Sequence, residues 1–487
     1  MTGKFRCRRF GRISIKRKTD ETVYRSHCDS AIRSPIQNAG RLTTEIGRPW
    51  LRPLLIIGWF IFSFGFGFGL GLPIAAAEGY VIPDTSFARR SVLDSVTAPV
   101  PSAIEQVREL IRVPGSDPVF HRTEQQQGRH YYVFIPAGDD DFTLASPGTF
   151  IIRRRLDDGA FDQIKVFLQH DEGSYIRLFP HGRTLRMDVY IANTQLYRDV
   201  PVAMSMNRAI TASTDTLLQA GAGVVDWSVL EVNPHHSGYA VIRGMVDQIR
   251  GALPYLPDAE DGAMDADGNL VYIESLLSQE QLPGFNCSGF AKWVIDGIYG
   301  PQMGTFLPID VLREKHLAWR GTSWSRPLED KRDPYFGLDW TRNLAVQMDS
   351  LDRKIPAERI DPEALDVRRV PFARYVEDVG YRVESLSAVL YWLARNEPGT
   401  FYLGSVNRLF GSDPVLRQHT HVVVLFPWFD ESGRFQVSVM ERNVETSLSS
   451  LEKRYGKDYI HLVRVRGNPR FEPPRFQSMG RLYLDHP

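Results

Sequence analysis

Hydrophobic and polar residues alternate along much of the chain between Thr149 and about Ser205. Runs such as TFIIRRRL, YIRLF and TLRMDVYIA have the period of two that is typical of half-buried β-strands. Turn-forming pairs, among them Asp158-Gly159 and His181-Gly182, separate these runs. The pattern therefore predicts an antiparallel meander in this part of the chain.

Other segments have the spacing of a helix, in which apolar residues recur every three or four positions. A short amphipathic helix is predicted on the face formed by Ile104, Val107, Leu110 and Ile111. Further helices are predicted at 208–220 and 239–252. Residues 78–100 are polar and contain proline, which predicts a linker. Residues 101–255 are then predicted to form a β-rich accessory domain.

The apolar run at residues 54–72 contains 19 residues without a charge. Such a run is long enough to cross a bilayer, and the arginines before it favour a cytoplasmic N-terminus. Ala75-Ala76-Ala77 then resembles a signal-peptidase site, with cleavage predicted before Glu78. Residues 54–77 are predicted to be a signal peptide with a later true start, or a retained anchor. Both alternatives place residues 78–487 in the periplasm or envelope, with membrane contact only through 54–72 if it is uncleaved.

The net charge of zero, from 58 basic and 58 acidic residues in 487, is the sum of a basic region and an acidic region. Residues 1–53 form a basic preface with 13 Lys or Arg and 4 Asp or Glu, which leaves 45 and 54 for the rest. The acidic remainder argues against a nucleic-acid-binding protein, and against attachment to an anionic polymer by bulk charge. Because Cys7 and Cys28 lie in the preface, the exported part has a single thiol, Cys287.

The segment around Cys287 reads Gly-Phe-Asn-Cys-Ser-Gly-Phe. Helical spacing of apolar residues follows it, and Asn286 is suited to the N-cap. Cys287 is therefore predicted to lie in the first turn, where unpaired N–H groups and the helix dipole favour a thiolate. The same N–H groups can stabilise an oxyanion, and the small Ser288 and Gly289 allow a substrate to approach. This pattern predicts a cysteine nucleophile.

A cysteine nucleophile needs an imidazole as base and a polar group that orients it. His421 is predicted at the start of a β-strand, before a hairpin whose turn is centred near residues 431–432. Folding the hairpin about this centre brings Glu441 and Asn443 near His421, and either could hold the ring. His419 shares a face with His421 by the same alternation and is the alternative base.

These motifs resemble those of the NlpC-type papain-like cysteine peptidases, which hydrolyse cell walls. The resemblance covers roughly 284–298 and 398–443, where His421 is followed by three valines. It implies an α+β papain-like fold with Cys287 as nucleophile and His421 as base. It further implies hydrolysis of peptidoglycan stem peptides, commonly at D-glutamyl–diamino acid junctions. Tyr272 is the nearest match for the tyrosine that supports the oxyanion in that family.

The catalytic domain is accordingly predicted at 256–487, with an insertion at about 300–383. Three tryptophans of the insertion line a substrate groove or serve ordinary packing: Trp319, Trp324 and Trp340. The acidic stretch at 258–269 is not expected to bind calcium, because Leu270 and Leu276 stand where a calcium loop needs glycine and glutamate. The cysteine chemistry requires no metal or cofactor, so none is expected. Two alternatives remain open for the same fold. One is a silent envelope-binding module, and the other is a thiol acyl hydrolase or transferase with a lipid or protein substrate.

Overall fold

The alternating segment forms strands that pair with their sequence neighbours. A computed structural model describes residues 81–100, 106–137, 142–316, 327–328, 331–334 and 337–475. Residues 1–53, the apolar run, Trp319 and Trp324 lie outside this part of the chain. No helix among the described residues is long and apolar enough to cross a membrane.

An eight-stranded antiparallel sheet occupies the first half of the described chain, in the order β1 to β8. Its strands are β1 Arg108–Ile111, β2 Val119–Gln126, β3 Arg129–Pro136, β4 Phe150–Arg155, β5 Phe161–Phe167, β6 Tyr175–His181, β7 Thr184–Ile191 and β8 Thr194–Val202. The predicted meander is thereby confirmed. The helix predicted around Ile104 to Ile111 is wrong over β1, because pairing with β2 outweighs the helical spacing of so short a segment.

Two short helices replace part of the predicted linker. These are α1 Ser86–Ser91 and α2 Leu93–Thr97. Arg89 is fully buried, and its guanidinium donates to the backbone oxygens of Ile210 and Ala212. The linker prediction is therefore wrong over residues 86–97, since these residues bury side chains and bond to a distant part of the chain.

The remaining helices connect or cover the sheets. They are α3 Met206–Thr211, α4 Thr214–Gly221, α5 Ser237–Ala252, α6 Cys287–Met303, α7 Ile309–Leu312, α8 Leu338–Arg353, α9 Leu386–Asn396 and α10 Leu448–Tyr455. The helix predicted at 239–252 is confirmed as α5. The helix predicted at 208–220 is two helices, because the Ser213 side chain accepts a hydrogen bond from the Thr216 N–H and caps α4.

A six-stranded antiparallel sheet follows, in the order β11-β16-β12-β13-β14-β15. Its strands are β11 Tyr381–Arg382, β12 Thr400–Phe410, β13 Leu416–Phe429, β14 Phe435–Glu441, β15 Val444–Thr446 and β16 Tyr459–Arg466. A two-stranded sheet, β9 Ala263–Met264 with β10 Leu270–Val271, lies earlier in the sequence. The protein is thus a mixed α and β structure with a large antiparallel sheet and a second sheet.

The buried apolar side chains form two clusters on opposite faces of the six-stranded sheet. The first contains Phe150 of the eight-stranded sheet, Trp293 of α6, Trp340 of α8 and Val424 of β13. The second contains alternate residues of β13, such as Val423, with residues of α9 and α10. One core therefore spans the predicted boundary between 255 and 256, and α8 of the predicted insertion packs within it. The two-domain division stays a prediction.

Candidate functional site

The start of α6 places Cys287 at the first helical position. The Asn286 side chain accepts a hydrogen bond of 2.8 Å from the Gly289 N–H and caps the helix. Glycine is required at 289, because a Cβ there would lie 1.8 Å from the Gly262 carbonyl oxygen. This close packing fixes the turn that carries the thiol. The predicted helix and its cap are confirmed.

Cys287 is 8% exposed, and its thiol contacts His421 of β13. Burial by itself raises the pKa of the thiol, but hydrogen bonding and charge from His421, with hydrogen bonding from the Val422 backbone and Ser288, lower it below its usual value. A lowered thiol pKa means that the pair favours the thiolate. The position of Cys287 in the first turn of α6 acts in the same direction, since the helix dipole favours a negative charge at a helix N-terminus.

His421 is held from its far side by Glu441. The His421 Nε2 lies 2.8 Å from Glu441 Oε2, so Nδ1 is the ring nitrogen that remains for Cys287. Burial opposes a charged ring, yet the hydrogen bonds with Cys287 and Glu441 raise the pKa of His421 to about 9. The lowered thiol pKa and the raised ring pKa both favour a thiolate beside an imidazolium.

Glu441 lies at the end of β14 and is 4% exposed. Its Oε1 accepts a hydrogen bond of 2.5 Å from the Thr446 hydroxyl and another from the Arg454 guanidinium. Burial raises the pKa of this carboxyl, but the hydrogen bonds from His421, Arg454 and Thr446 lower it to about 2. The carboxylate thus stays charged and can orient the imidazolium.

The other predicted partners do not join this arrangement. The Asn443 side chain donates to the Leu256 backbone oxygen over 2.9 Å. Tyr272 is 38% exposed, and its backbone N–H donates to the Leu277 oxygen in a local turn. Ser288 is fully buried beside Cys287, and its backbone oxygen accepts a 3.0 Å hydrogen bond from Trp340 Nε1. Trp340 therefore packs behind the site and does not line an open groove.

His419 lies on the other face of the sheet from His421. Val406 pairs with His421 and Asn407 pairs with His419, so Thr420 forms a bulge in β13. The shared face predicted for His419 and His421 is therefore wrong. The predicted strand start at His421 is also wrong, because β13 begins at Leu416. Burial lowers the pKa of His419 to about 4, so this ring is neutral.

The sequence did not predict three residues around the imidazole. Thr446 and Arg454 hold Glu441, and the Tyr455 ring centre lies 6.2 Å from that of His421. They come from β15 and α10, which follow the predicted hairpin. The serines from Ser447 onward could have predicted this helix, because Ser447 is a typical N-cap and follows Glu441 and Asn443 closely. Which residues of this helix face Glu441 could be seen only in the structure.

This arrangement supplies the groups needed for thiol chemistry on an acyl compound. Cys287 can act as a nucleophile, His421 can donate a proton, and the Glu441 carboxylate can orient the ring of His421. The N–H groups at the start of α6 can stabilise an oxyanion. Among the described residues, no group of three or more His, Cys, Asp or Glu side chains is arranged to hold a metal ion.

Comparison with protein families gives one match. Residues 78–229 match a family model described as a domain of unknown function (DUF8515). The match covers α1 through α4 and the eight-stranded sheet, and it leaves Cys287, His421 and Glu441 outside. Searches of curated proteins and of solved structures found no match. The match therefore covers residues 78–229 alone and says nothing of the site.

Proposed function

We propose that this chain is an exported cysteine hydrolase that cleaves amide bonds in peptidoglycan stem peptides. The single observation that carries the proposal is the contact of Cys287 with a His421 ring that Glu441 holds. The opposite pKa shifts of the thiol and the ring, one lowered and one raised to about 9, are those of a thiolate–imidazolium pair. A buried cysteine with only a packing role needs no such partner.

The reaction begins with attack of the Cys287 thiolate on the carbonyl carbon of the amide. The tetrahedral oxyanion is stabilised by N–H groups of the first turn of α6. His421 donates its Nδ1 proton to the leaving amine, which breaks the C–N bond and leaves a thioester on Cys287. The now neutral His421 takes a proton from water, whose oxygen attacks the thioester. The carboxylic acid product leaves, and the thiolate and imidazolium are restored.

The substrate class and the export are supported by sequence features. The resemblance of 284–298 and 398–443 to NlpC-type peptidases favours stem peptides, and the helix packed against an antiparallel sheet is compatible with a papain-like catalytic domain. Residues 54–77 favour export, which would bring the enzyme to the cell wall. In this proposal the substrate is peptidoglycan or a peptide, with no nucleic-acid partner.

The test is incubation of the purified protein with peptidoglycan and analysis of the products by mass spectrometry. We expect the wild type to release fragments that have gained one water at an amide bond, and Cys287→Ala and Cys287→Ser to release none. Equal products from wild type and Cys287→Ala would overturn the proposal. Binding of peptidoglycan without cleavage would also overturn it, in favour of a binding module.

A further inference from the structure

A short segment, residues 256–259, lies against the part of the chain that leads to the thiol. The Phe285 N–H donates to the Pro257 oxygen over 2.9 Å, and the Ala259 N–H donates to the Phe285 oxygen over 3.0 Å. These two bonds form a bridge of the parallel kind. Because Phe285 is two residues before Cys287, this short segment fixes the backbone from which α6 starts.

The same short segment contacts the turn between β14 and β15, which follows Glu441. The Asn443 Nδ2 donates to the Leu256 oxygen over 2.9 Å. Leu256 is buried and belongs to the first apolar cluster, so this acceptor is held by the core. Asn443 is two residues after Glu441, the partner of His421. The Asn443 amide therefore joins the histidine half of the site to the segment that pairs with the thiol half.

Gln279 holds the thiol half from another side. Its Oε1 accepts from the Gly284 N–H over 2.6 Å. Its Nε2 donates to the backbone oxygens of Gly284, Asp261 and Val271 over 3.2, 3.2 and 2.9 Å. Gln279 is 6% exposed, so loss of its amide would leave buried backbone groups without a partner.

Gly284 is enclosed between Gln279 and the short segment. A Cβ at this position would lie 2.7 Å from the Asp258 carbonyl carbon and 2.8 Å from the Pro257 oxygen. Such close packing leaves little room for the backbone to shift toward the segment. A displacement of either support would therefore be transmitted to the backbone that precedes Cys287.

Another contact between the turn and the short segment is exposed. Arg442 pairs with Asp258 at 3.0 Å, and the two side chains are 36% and 46% exposed. Exposed ion pairs contribute little to stability. The Asn443 amide is half-buried and its acceptor is buried, so this bond contributes more to the position of the turn than the ion pair does.

We propose that Asn443 and Gln279 are positioning residues, which hold the Cys287 thiol in contact with His421. Asn443 acts through the short segment, and Gln279 acts through Gly284. This inference rests on the proposed hydrolase, because it assigns both residues to the geometry of the same reaction. A misplacement of about 1 Å can lower a rate about a hundred-fold, so both amides should affect kcat more than KM.

The test measures the pKa of the Cys287 thiol in the full chain, from the pH dependence of iodoacetamide alkylation followed by mass spectrometry. Asn443→Ala and Gln279→Met remove the amides without adding a charge. We expect each to raise the thiol pKa by about one unit, since contact with His421 lowers it. Asn443→Gln keeps an amide donor and should stay nearer to the wild type. Arg442→Gln should keep the wild-type value.

Matched controls separate positioning from stability. Asn396→Ala removes an amide that donates to a backbone oxygen, that of Trp392, and Gln169→Met removes a buried amide that donates to the Tyr391 hydroxyl. We expect both controls to keep the wild-type thiol pKa, whatever stability they lose in urea unfolding. An equal rise in the controls, or an unchanged thiol pKa in the folded Asn443→Ala chain, would overturn the proposal.

Kinetics on peptidoglycan fragments give a second readout. Asn443→Ala and Gln279→Met should lower kcat about ten-fold or more and leave KM within about two-fold of the wild type. A raised KM at unchanged kcat would overturn the positioning role, because it would indicate a contact with the substrate. Failure of the proposed function has a different signature. In that case the wild type cleaves nothing, while alkylation still reports the thiol pKa of every variant.

Discussion

His419 and His421 lie two residues apart on β13, both are largely buried, and their pKa values move in opposite directions. The pKa of His421 rises to about 9 and that of His419 falls to about 4. Burial lowers both values, so the difference comes from the partners. His421 meets a thiolate and the Glu441 carboxylate at hydrogen-bond distance, whereas His419 meets an amide, and Asp333 is 4.0 Å away.

The bulge at Thr420 creates this difference. Without an extra residue, both rings would lie on one face of β13. With it, His421 pairs with Val406 and reaches the end of β14, while His419 pairs with Asn407 under α8. One inserted residue therefore gives a ring with a raised pKa and a ring with a lowered pKa within one strand. The following predictions test the two environments, from the largest effect to the smallest.

The largest effect is expected for His421→Ala. Without a proton donor for the leaving amine, kcat/KM on peptidoglycan fragments should fall by about 10³-fold, within the usual range for loss of an acid–base group. His236→Ala is the control, because His236 is an exposed cap of α5. A loss below ten-fold in His421→Ala would contradict the role of this ring.

Glu441→Gln should have an intermediate effect. Loss of the carboxylate charge at 2.8 Å should lower the pKa of His421 by about 1–3 units, measured by nuclear magnetic resonance titration of the ring. Glu445→Gln is a matched control, since Glu445 also accepts from one hydroxyl, that of Ser438, and one guanidinium, that of Arg250. An unchanged titration in Glu441→Gln would show that Glu441 does not control the ring.

The two rings should make opposite contributions to the free energy of unfolding. The raised pKa of His421 contributes stability that is complete below about pH 6.5 and is lost as the pH rises through about 9. The lowered pKa of His419 costs stability as the pH falls from about 6.5 to about 4, by at most ~1.4 kcal/mol per pH unit. Urea unfolding of His419→Gln should therefore show a weaker loss of stability over this acid range than the wild type. An equal slope would mean that His419 takes up a proton in the folded protein.

The smallest effect is expected for Trp340→Phe. This change removes the hydrogen bond to the Ser288 oxygen, worth about 1 kcal/mol, and loosens the turn beside the thiol. Trp293→Phe is the control. Trp293 lies on α6, as Ser288 does, and its indole N–H donates to the Pro474 oxygen, away from the thiol. Both should lose similar stability in urea unfolding. Only Trp340→Phe should lower kcat, by a few-fold, and an equal loss in Trp293→Phe would contradict the positioning role.

The sequence predicted the parts of the site that depend on local signals. Asn286 and the apolar spacing after it are enough to locate the start of α6 and Cys287. The Asp430–Gly433 turn fixes the hairpin well enough to bring Glu441 near His421, because a hairpin turn sets the register of its strands. The meander followed from alternation in the same way.

The rest depends on contacts that have no local signature. A bulge such as that at Thr420 changes which face a residue occupies, and the residues around it read as an ordinary strand. The partners of Glu441 come from α10, whose packing is set by the second core. The burial of Arg89 in α1 depends on carbonyl groups more than a hundred residues away. By alternation, Asn443 could have oriented His421 as well as Glu441 could. Only the structure shows that the Asn443 side chain instead donates to the Leu256 oxygen.

The most direct test of the central claim is the pKa of the Cys287 thiol in the wild type and in His421→Ala. It is measured by the pH dependence of iodoacetamide alkylation, with modification of Cys287 followed by mass spectrometry. We predict that the thiol pKa lies below the usual value of about 8.5 in the wild type and returns to that value or above in His421→Ala, while His419→Gln keeps the wild-type profile. An ordinary thiol pKa in the wild type, unchanged by His421→Ala, would contradict the thiolate–imidazolium pair and the catalytic role built on it.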